Sequence, residues 1–328
     1  ETDFLGFSYG FRPGRSQHQA LDALVVGIYR RRINWILDAD IRAFFDSMSH
    51  AWLMRFLEHR IGDRRMLRLI GKWLKAGVLE EGRLLTVERG TPQGAVISPL
   101  LANIYLHYVY DLWVQRWRRR SAQGDVIVVR YADDMVVGFQ YLADAHRFLA
   151  ELKQRLEAFA LELHPDKTRI IEFGRFAHEN RRARGQGKPE TFAFLGFTHI
   201  FGRTREGRRL IRRHTIRERL NAKLRQVKAT LRRMRHLPIP EQGRYLRLVL
   251  NGFYNYYAVP TNFRALNAFY YHVLCRWLRC LRRCSQRHRL TWRKMMRIAE
   301  RWLPSPKLRH PYPDWRFDVM TRGGSPVR

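Results

Sequence analysis

Residues 126–139 read VIVVRYADDMVVGF, two runs of β-branched and apolar residues on either side of a Tyr-Ala-Asp-Asp core. Strand-forming sequence interrupted by a short polar apex is the pattern of a β-hairpin. That hairpin places Asp133 and Asp134 side by side at its tip. Asp-Asp is also ordinary turn chemistry, but two adjacent carboxylates repel unless a cation lies between them, and divalent metals are the usual answer. The hydrophobic frame of the apex and the basic character of the chain favour the metal. A carboxylate-held metal pair in a cationic protein points to chemistry on polyanions, with nucleotidyl transfer as the first candidate.

The chain has 328 residues, enough for two or three domains with a sizeable core, and its 45% hydrophobic content is that of a globular protein. The longest apolar run is far short of a bilayer span, and no signal peptide opens the sequence. The first residue is Glu1 rather than Met, which reads as a fragment or a processed piece. The net charge of +33 is unevenly placed: residues 203–328 carry 32 Lys/Arg against 6 Asp/Glu, and residues 1–202 carry 30 against 23. The more acidic part can hold metals while the basic part holds something large and negative. Nucleic acid fits better than a membrane surface, since no basic segment is joined to a lipid-facing amphipathic anchor. Cys275, Cys280 and Cys284 are odd in number, form no Cys-x-x-Cys pair and share no helix face. Structural zinc is therefore not expected despite nearby His272 and His288, and reduced thiols in a cytoplasmic protein are the default.

Residues 4–16 (FLGFSYGFRPGRS) read as a Gly/Pro/aromatic loop, followed by a helix from Gln17 to about Arg30. NWILDADIRAFFD (34–46) reads as a buried strand entering a helix near Asp46, a structural helix-start residue. Amphipathic helices are expected at 51–60 and 64–76, a short strand at 83–89, and a turn at GTPQG. Ser98 as N-cap and Pro99 in the first turn open a helix that runs to about Arg120. After the hairpin come a helix at 143–160, a turn at HPDKT (164–168), a strand at 169–173, a polar loop at 178–190 and a last short strand at 192–197. Beyond about Arg209 the texture changes. Thr215 and Glu218 have the spacing of a capping box, and Ile216, Leu220, Leu224, Val227, Leu231 and Met234 form one narrow apolar stripe among arginines. Pro238 and Pro240 end that helix. Two more are expected at 244–257 and 263–283, and then a Pro-rich basic tail. The expected organisation is a mixed region over 1–209, an all-α basic region over 210–302, and an irregular tail over 303–328.

Asp38 and Asp40 alternate on the WILDADI strand and so share a face. A strand ending in a carboxylate beside the Asp-Asp hairpin would complete a three-carboxylate cradle for two Mg²⁺ ions about 4 Å apart. Asp40 alone reads equally well as a cap for the segment after it.

At this point the motifs resemble, in order, those of a group II intron reverse transcriptase with its maturase region. FSYGFRPGRS is similar to the second fingers block, WILDADIRAFFDSMSH to the block with the metal-binding Asp, and GTPQGAVISPLLANIYLH to the fourth block. RYADD resembles the polymerase hairpin, LELHPDKT the sixth block and FAFLGF the primer grip, while GFYNYY and HPYP resemble maturase and terminal segments. The resemblance covers nearly the whole chain. It implies an α+β fold: a right-hand polymerase palm with partial fingers, an antiparallel sheet and helices, then an all-α basic thumb (maturase) domain.

Carried over residue by residue, the resemblance implies Asp40, Asp133 and Asp134 as catalytic metal ligands, with the Ile41 carbonyl assisting and two Mg²⁺ ions as cofactor. Phe45 falls where such enzymes place a gate against the ribose 2′-OH, and reads equally as core packing beside Phe44. Gln93 would contact the incoming dNTP, with Gly94 allowing close backbone approach; unaided, the same tripeptide reads as a tight turn. Lys167 falls near the triphosphate or the rim of the site, or is a solvated turn lysine. Arg12 and Arg15 would grip template phosphates or salt-bridge within their loop. Arg217, Arg225, Lys228 and Arg232, opposite the apolar stripe, are the expected RNA contacts. The tyrosines at 254, 256, 257, 270 and 271 suit base stacking and, more simply, a helix core.

The implied function is an RNA-directed DNA polymerase that extends a DNA primer on intron RNA with dNTPs, with splicing and retrohoming roles in a bacterial, nucleoid-associated setting. The alternatives are a non-catalytic maturase and a related CRISPR-associated reverse transcriptase. Relatives normally carry further fingers blocks ahead of Glu1, including the basic clamp for the triphosphate. The expectation is therefore a truncated polymerase with its metal site intact, without a terminal HNH endonuclease. The spelling QGAVISP departs from diversity-generating enzymes, and the region after 209 departs from retron enzymes.

Overall fold

The computed structural model describes residues 1–75, 78–80, 83–85, 96–283 and 290–321. The chain forms two compact units, one of residues 1–190 together with 316–328, the other of residues 191–315.

In the first unit, α1 (Gln17–Arg30) begins with a capping box in which Ser16 and Gln19 bond reciprocally. β1 (Trp35–Ala39), α2 (Phe44–Ser47), α3 (His50–Glu58) and α4 (Arg64–Lys75) follow, then short paired strands β2 (Val78–Glu80) and β3 (Arg83–Leu85). α5 (Ser98–Leu106) runs through a π-helical turn (His107–Asp111) into α6 (Leu112–Arg120). This is the helix expected to reach Arg120, although Ser98 lies inside its first turn and Ile97 precedes it. β4 (Val126–Tyr131) and β5 (Asp134–Phe139) form the expected hairpin, and α7 (Leu142–Glu157), β6 (Arg169–Glu172) and α8 (Ala177–Ala183) complete the unit. α8 occupies part of the segment read as a polar loop.

The main sheet has the order β4-β5-β1-β6, with every pairing antiparallel. Alternate residues explain why β4 is apolar over Val126–Val129. Leu37, Val128, Val137 and Phe139 enter one core with Phe148 and Leu152 of α7 and Tyr105 of α5. The intervening Ile36, Ile127 and Val136 are also buried, so water reaches neither face of the sheet's centre. A Cβ on Gly138 would come within 2.7 Å of the Ile127 side chain and 2.9 Å of Ile33, so the sheet packs tightly on that face.

The chain end departs from expectation. α13 (Pro313–Thr321) is helical, and its later residues pack on α1: Arg316 Nε lies 3.1 Å from the buried Asp22 Oδ2, and Arg30 donates to Asp318 at 2.8 Å. Two aspartates opposite two arginines decide this placement, which proline content in the tail conceals.

The second unit contains a three-stranded meander, β7 (Thr191–Phe194), β8 (Phe197–Arg203) and β9 (Arg209–Thr215). Helices α9 (Arg217–Arg233), α10 (Ile239–Tyr257), α11 (Phe263–Arg282) and α12 (Trp292–Trp302) follow. The boundary expected at 209/210 therefore falls within a hairpin, and the all-α description of 210–302 is corrected. Arg212 and Arg213 in RLIRRHT obscure the strand, yet Ile211, Arg213 and Thr215 are the buried positions of its alternating pattern. Thr215 ends β9 rather than capping α9. Its backbone N–H and hydroxyl both bond the side chain of buried Asn262, and Ile216 stands at the helix start without a side-chain cap. Leu224, Val227 and Leu231, half of the predicted stripe, are buried in one core with Phe253, Phe269 and Trp277.

Candidate active site

The hairpin apex is a two-residue loop, Ala132-Asp133, closed by the Tyr131–Asp134 pair. Ala132 is left-handed at φ 55°, a position that hairpin turns of this length ordinarily fill with glycine. Asp133 is half-buried and Asp134, the first residue of β5, is exposed. Asp40 follows directly on β1, the strand paired to β5 with Ala39 opposite Met135, so topology brings it to the hairpin's end of the sheet. Its backbone is fixed from the other side, where Asp40 O accepts from His164 N and Arg42 N donates to Glu162 O, both at 2.8 Å. These bonds bracket the Ile41–Leu163 bridge and direct the Ile41 carbonyl away from residue 163.

The carboxylates sense one another. Burial chiefly raises Asp133 above the usual carboxylate range, and the charge of Asp40 raises it further. Asp38 is pushed up to about 6, first by burial, with Asp134 and Asp40 adding to it against the pull of Arg169, its cross-strand partner. Lys167 sits on the rim with Nζ 2.7 Å from Asp40 Oδ2, and its pKa is raised by that contact and by the fields of Asp134 and Asp133.

Oxygen donors of this charge fit a hard divalent cation such as Mg²⁺. Among the described residues, however, no three His, Cys, Asp or Glu side chains converge on one point, and Lys167 takes one oxygen of Asp40. The structure thus brings Asp40, Asp133 and Asp134 to one end of the sheet without closing the expected three-carboxylate cradle. Phe45, on α2, is half-buried against the core and meets the fully packed Phe44 edge-on at 5.4 Å. Gln93 and Gly94 lie outside the described residues.

Arg12 is not free to grip a template. It is buried, donates to the carbonyls of Leu5 and Ser8 at 2.8 Å, and pairs with Glu1 at 2.9 Å. The carbonyls of a tight loop need a donor, and Arg12 supplies it. Arg15 lies over the Tyr9 ring, 5.4 Å from its centroid, and is half-exposed.

Sequence reasoning missed Arg130, the residue before Tyr131. It is 0% exposed and all five of its guanidinium N–H groups are bonded. Nε and NH2 fork onto Asp111 at 2.7 and 2.6 Å, NH2 also donates to Ser8 Oγ at 2.8 Å, and NH1 donates to Asn103 Oδ1 at 3.0 Å and the Ala132 carbonyl at 2.9 Å. A charged residue inside an apolar strand was the available signal, because burial is tolerable only with such a set of partners.

In the second unit, Arg217, Arg225, Lys228 and Arg232 are all exposed on α9. Lys228 and Arg232 join Arg235 of the following turn and Arg276, Arg279 and Arg283 around a cavity of about 400 Å³.

The reverse transcriptase (RNA-dependent DNA polymerase) family model matches residues 2–199, more than half of the chain. The chain belongs to the reverse transcriptase family. The protein YkfC of Escherichia coli (strain K12) is 34% identical over 239 residues, which cover 63% of this chain and 58% of that protein. The group II intron-encoded protein LtrA of Lactococcus lactis subsp. cremoris is 44% identical over 107 residues, 33% of this chain and 18% of its own. The likeness to LtrA agrees with the resemblance to group II intron reverse transcriptases that the motifs carry. A telomerase structure from Candida albicans, with a fragment of telomeric RNA, aligns with 90% of this chain and 50% of its own at 15% identity and a TM-score of 0.45. The chain spans little more than half the length of the first of these curated relatives and under a fifth of the second.

Proposed function

We propose that this reverse transcriptase is an RNA-directed DNA polymerase of the group II intron type, working on a DNA primer, an RNA template and dNTPs. The observation that carries the reading is the gathering of Asp40, Asp133 and Asp134 at one end of the main sheet. A scaffold that only bound RNA would have no use for carboxylates that repel one another and the ligand. Two Mg²⁺ ions held by these three residues would activate the primer 3′-OH and balance charge on the leaving pyrophosphate. Lys167, already drawn to the carboxylates, is the proposed contact to a triphosphate at the rim. Phe45, half-buried beside Phe44, is the candidate gate against a ribose 2′-OH, and Gln93 and Gly94 keep the dNTP contacts assigned by resemblance.

Arg217, Arg225, Lys228 and Arg232 are the proposed contacts to nucleic-acid phosphates, which an exposed cationic helix face reads by charge rather than by sequence. Arg12 is withdrawn from that set and Arg15 is retained. Intron RNA binding, splicing and retrohoming in a bacterial cytoplasm, near the nucleoid, extend the same reading. Among the described residues no helix is long and apolar enough to cross a membrane.

The test is extension of a DNA primer on an RNA template with Mg²⁺, run beside splicing of a cognate intron RNA. Extension lost and splicing kept in Asp133→Asn means that one chain has both activities. Splicing without extension by the unsubstituted protein means an RNA-binding maturase.

A further inference from the structure

Ala132, the residue before the two aspartates, is left-handed and gains nothing from its own conformation. A non-glycine residue in that region is disfavoured and persists only where its surroundings impose it. Two groups impose it here. Arg130 NH1 donates to the Ala132 carbonyl from beneath. Gly10 presses on the apex from the N-terminal loop, so closely that a Cβ there would stand 2.3 Å from the Ala132 nitrogen. The two are joined, because Asn103 accepts from Arg130 through Oδ1 and donates through Nδ2 to the Gly10 carbonyl at 2.7 Å.

Backbone bonds complete the clamp: Arg130 N donates to Phe7 O at 2.9 Å, and Tyr9 N donates to Arg130 O at 2.8 Å. The π turn at His107–Asp111 widens the helix where Asp111 accepts the Arg130 fork, a distortion often found at functional sites.

We infer that Arg130 is a positioning residue that, with the Ser8–Gly10 loop as buttress, fixes the peptide preceding Asp133 and so aims Asp133 and Asp134. The loop whose FSYGFRPG spelling suggested template contact thus acts on the catalytic hairpin. Arg130 touches no reacting atom and works through Ala132. This inference rests on the polymerase reading for its kinetic consequence, and not for its structural one.

Arg130→Lys keeps the charge but cannot reach Asp111, Asn103, Ser8 and Ala132 together. Gly10→Ala leaves Arg130 untouched and displaces the apex. Leu152→Ala, in the α7 core, destabilises the same unit away from the hairpin and serves as the control. Each is measured for folded fraction, for single-dNTP kcat and KM, and for Mn²⁺ affinity by paramagnetic titration. Arg130→Lys and Gly10→Ala should each lose about 10²-fold in kcat per folded molecule, the scale of a small misplacement of reacting groups. KM for dNTP should stay within about threefold, and Mn²⁺ should bind several-fold more weakly, while Leu152→Ala changes only the folded fraction. Loss of activity merely in step with unfolding, in both variants, would overturn the inference. If the unsubstituted protein extends no primer, the polymerase reading fails by itself. Mn²⁺ affinity then decides alone, and unchanged binding in both variants overturns the positioning role. If Arg130→Lys does not fold, Gly10→Ala carries the test unaided.

Discussion

Replacing Asp38 by Asn should stabilise the protein at neutral pH and leave it unchanged in acid. Asp38 lies on β1 across from Arg169, and two influences compete for its carboxyl. Burial and the neighbouring carboxylates favour the neutral form, while Arg169 favours the charged one, and the first group prevails, with the pKa pushed up from 3.8 to about 6. A shift of that size corresponds to roughly 3 kcal/mol at 1.36 kcal/mol per pKa unit. Screening by salt and residual access of water bring the expected figure to about 1–2 kcal/mol. The sign follows from the raised value: the folded state favours the proton, so the contribution is fully present below the unfolded pKa near 3.8 and is lost as pH rises through about 6. Asp38→Asn removes that loss. Urea unfolding at half-unit steps from pH 4 to pH 8 should show the variant gaining about 1–2 kcal/mol over the parent above pH 6 and nothing near pH 4. A variant less stable at pH 8 would mean that the Arg169 pair outweighs desolvation, which refutes the reasoning.

Lys167→Met removes the ammonium that competes for Asp40, so Mn²⁺ should bind several-fold more tightly in a paramagnetic titration; equal or weaker binding would mean that Lys167 does not compete there. RNA affinity should fall roughly 10³–10⁵-fold between 50 and 200 mM salt if the cationic helix faces meet about six to ten phosphates, and a nearly flat response in filter binding would contradict the electrostatic reading. Trp277→Ala empties a fully buried site and orphans Gln242 Oε1, which accepts the indole N–H at 2.9 Å. Thermal unfolding should show a loss of about 3–5 kcal/mol, and a loss below about 1 kcal/mol would show that α10 and α11 close around the gap.

Patterns of period two and of three to four survived best from sequence to structure. The hairpin, α1 and the centre of the α9 stripe formed where β-branched runs, a loop giving way to helix-forming residues and a three-to-four spacing announced them, because in each case burial and local propensity agree. They disagree in the strand RLIRRHT, where one of the buried positions is an arginine, and in the loop at 4–16, whose Arg12 satisfies carbonyls instead of facing solvent. Arg130 is the sharpest instance. Its meaning depends on Ser8, Asn103 and Asp111, up to 122 positions away, and sequence spacing carries no trace of such a network. The carboxylates were legible as a set, but the ion pair that ties Asp40 to Lys167 across 127 positions was not.

The most direct test of the central claim is single-nucleotide incorporation into a DNA primer annealed to RNA, with Mg²⁺, by the unsubstituted protein and by Asp133→Asn. Hybrid binding is measured on the same samples. The account predicts incorporation by the parent and a loss of about 10²–10³-fold or more in the variant, with hybrid affinity unchanged. Equal incorporation by both would contradict it, as would a parent that binds the hybrid and adds no nucleotide.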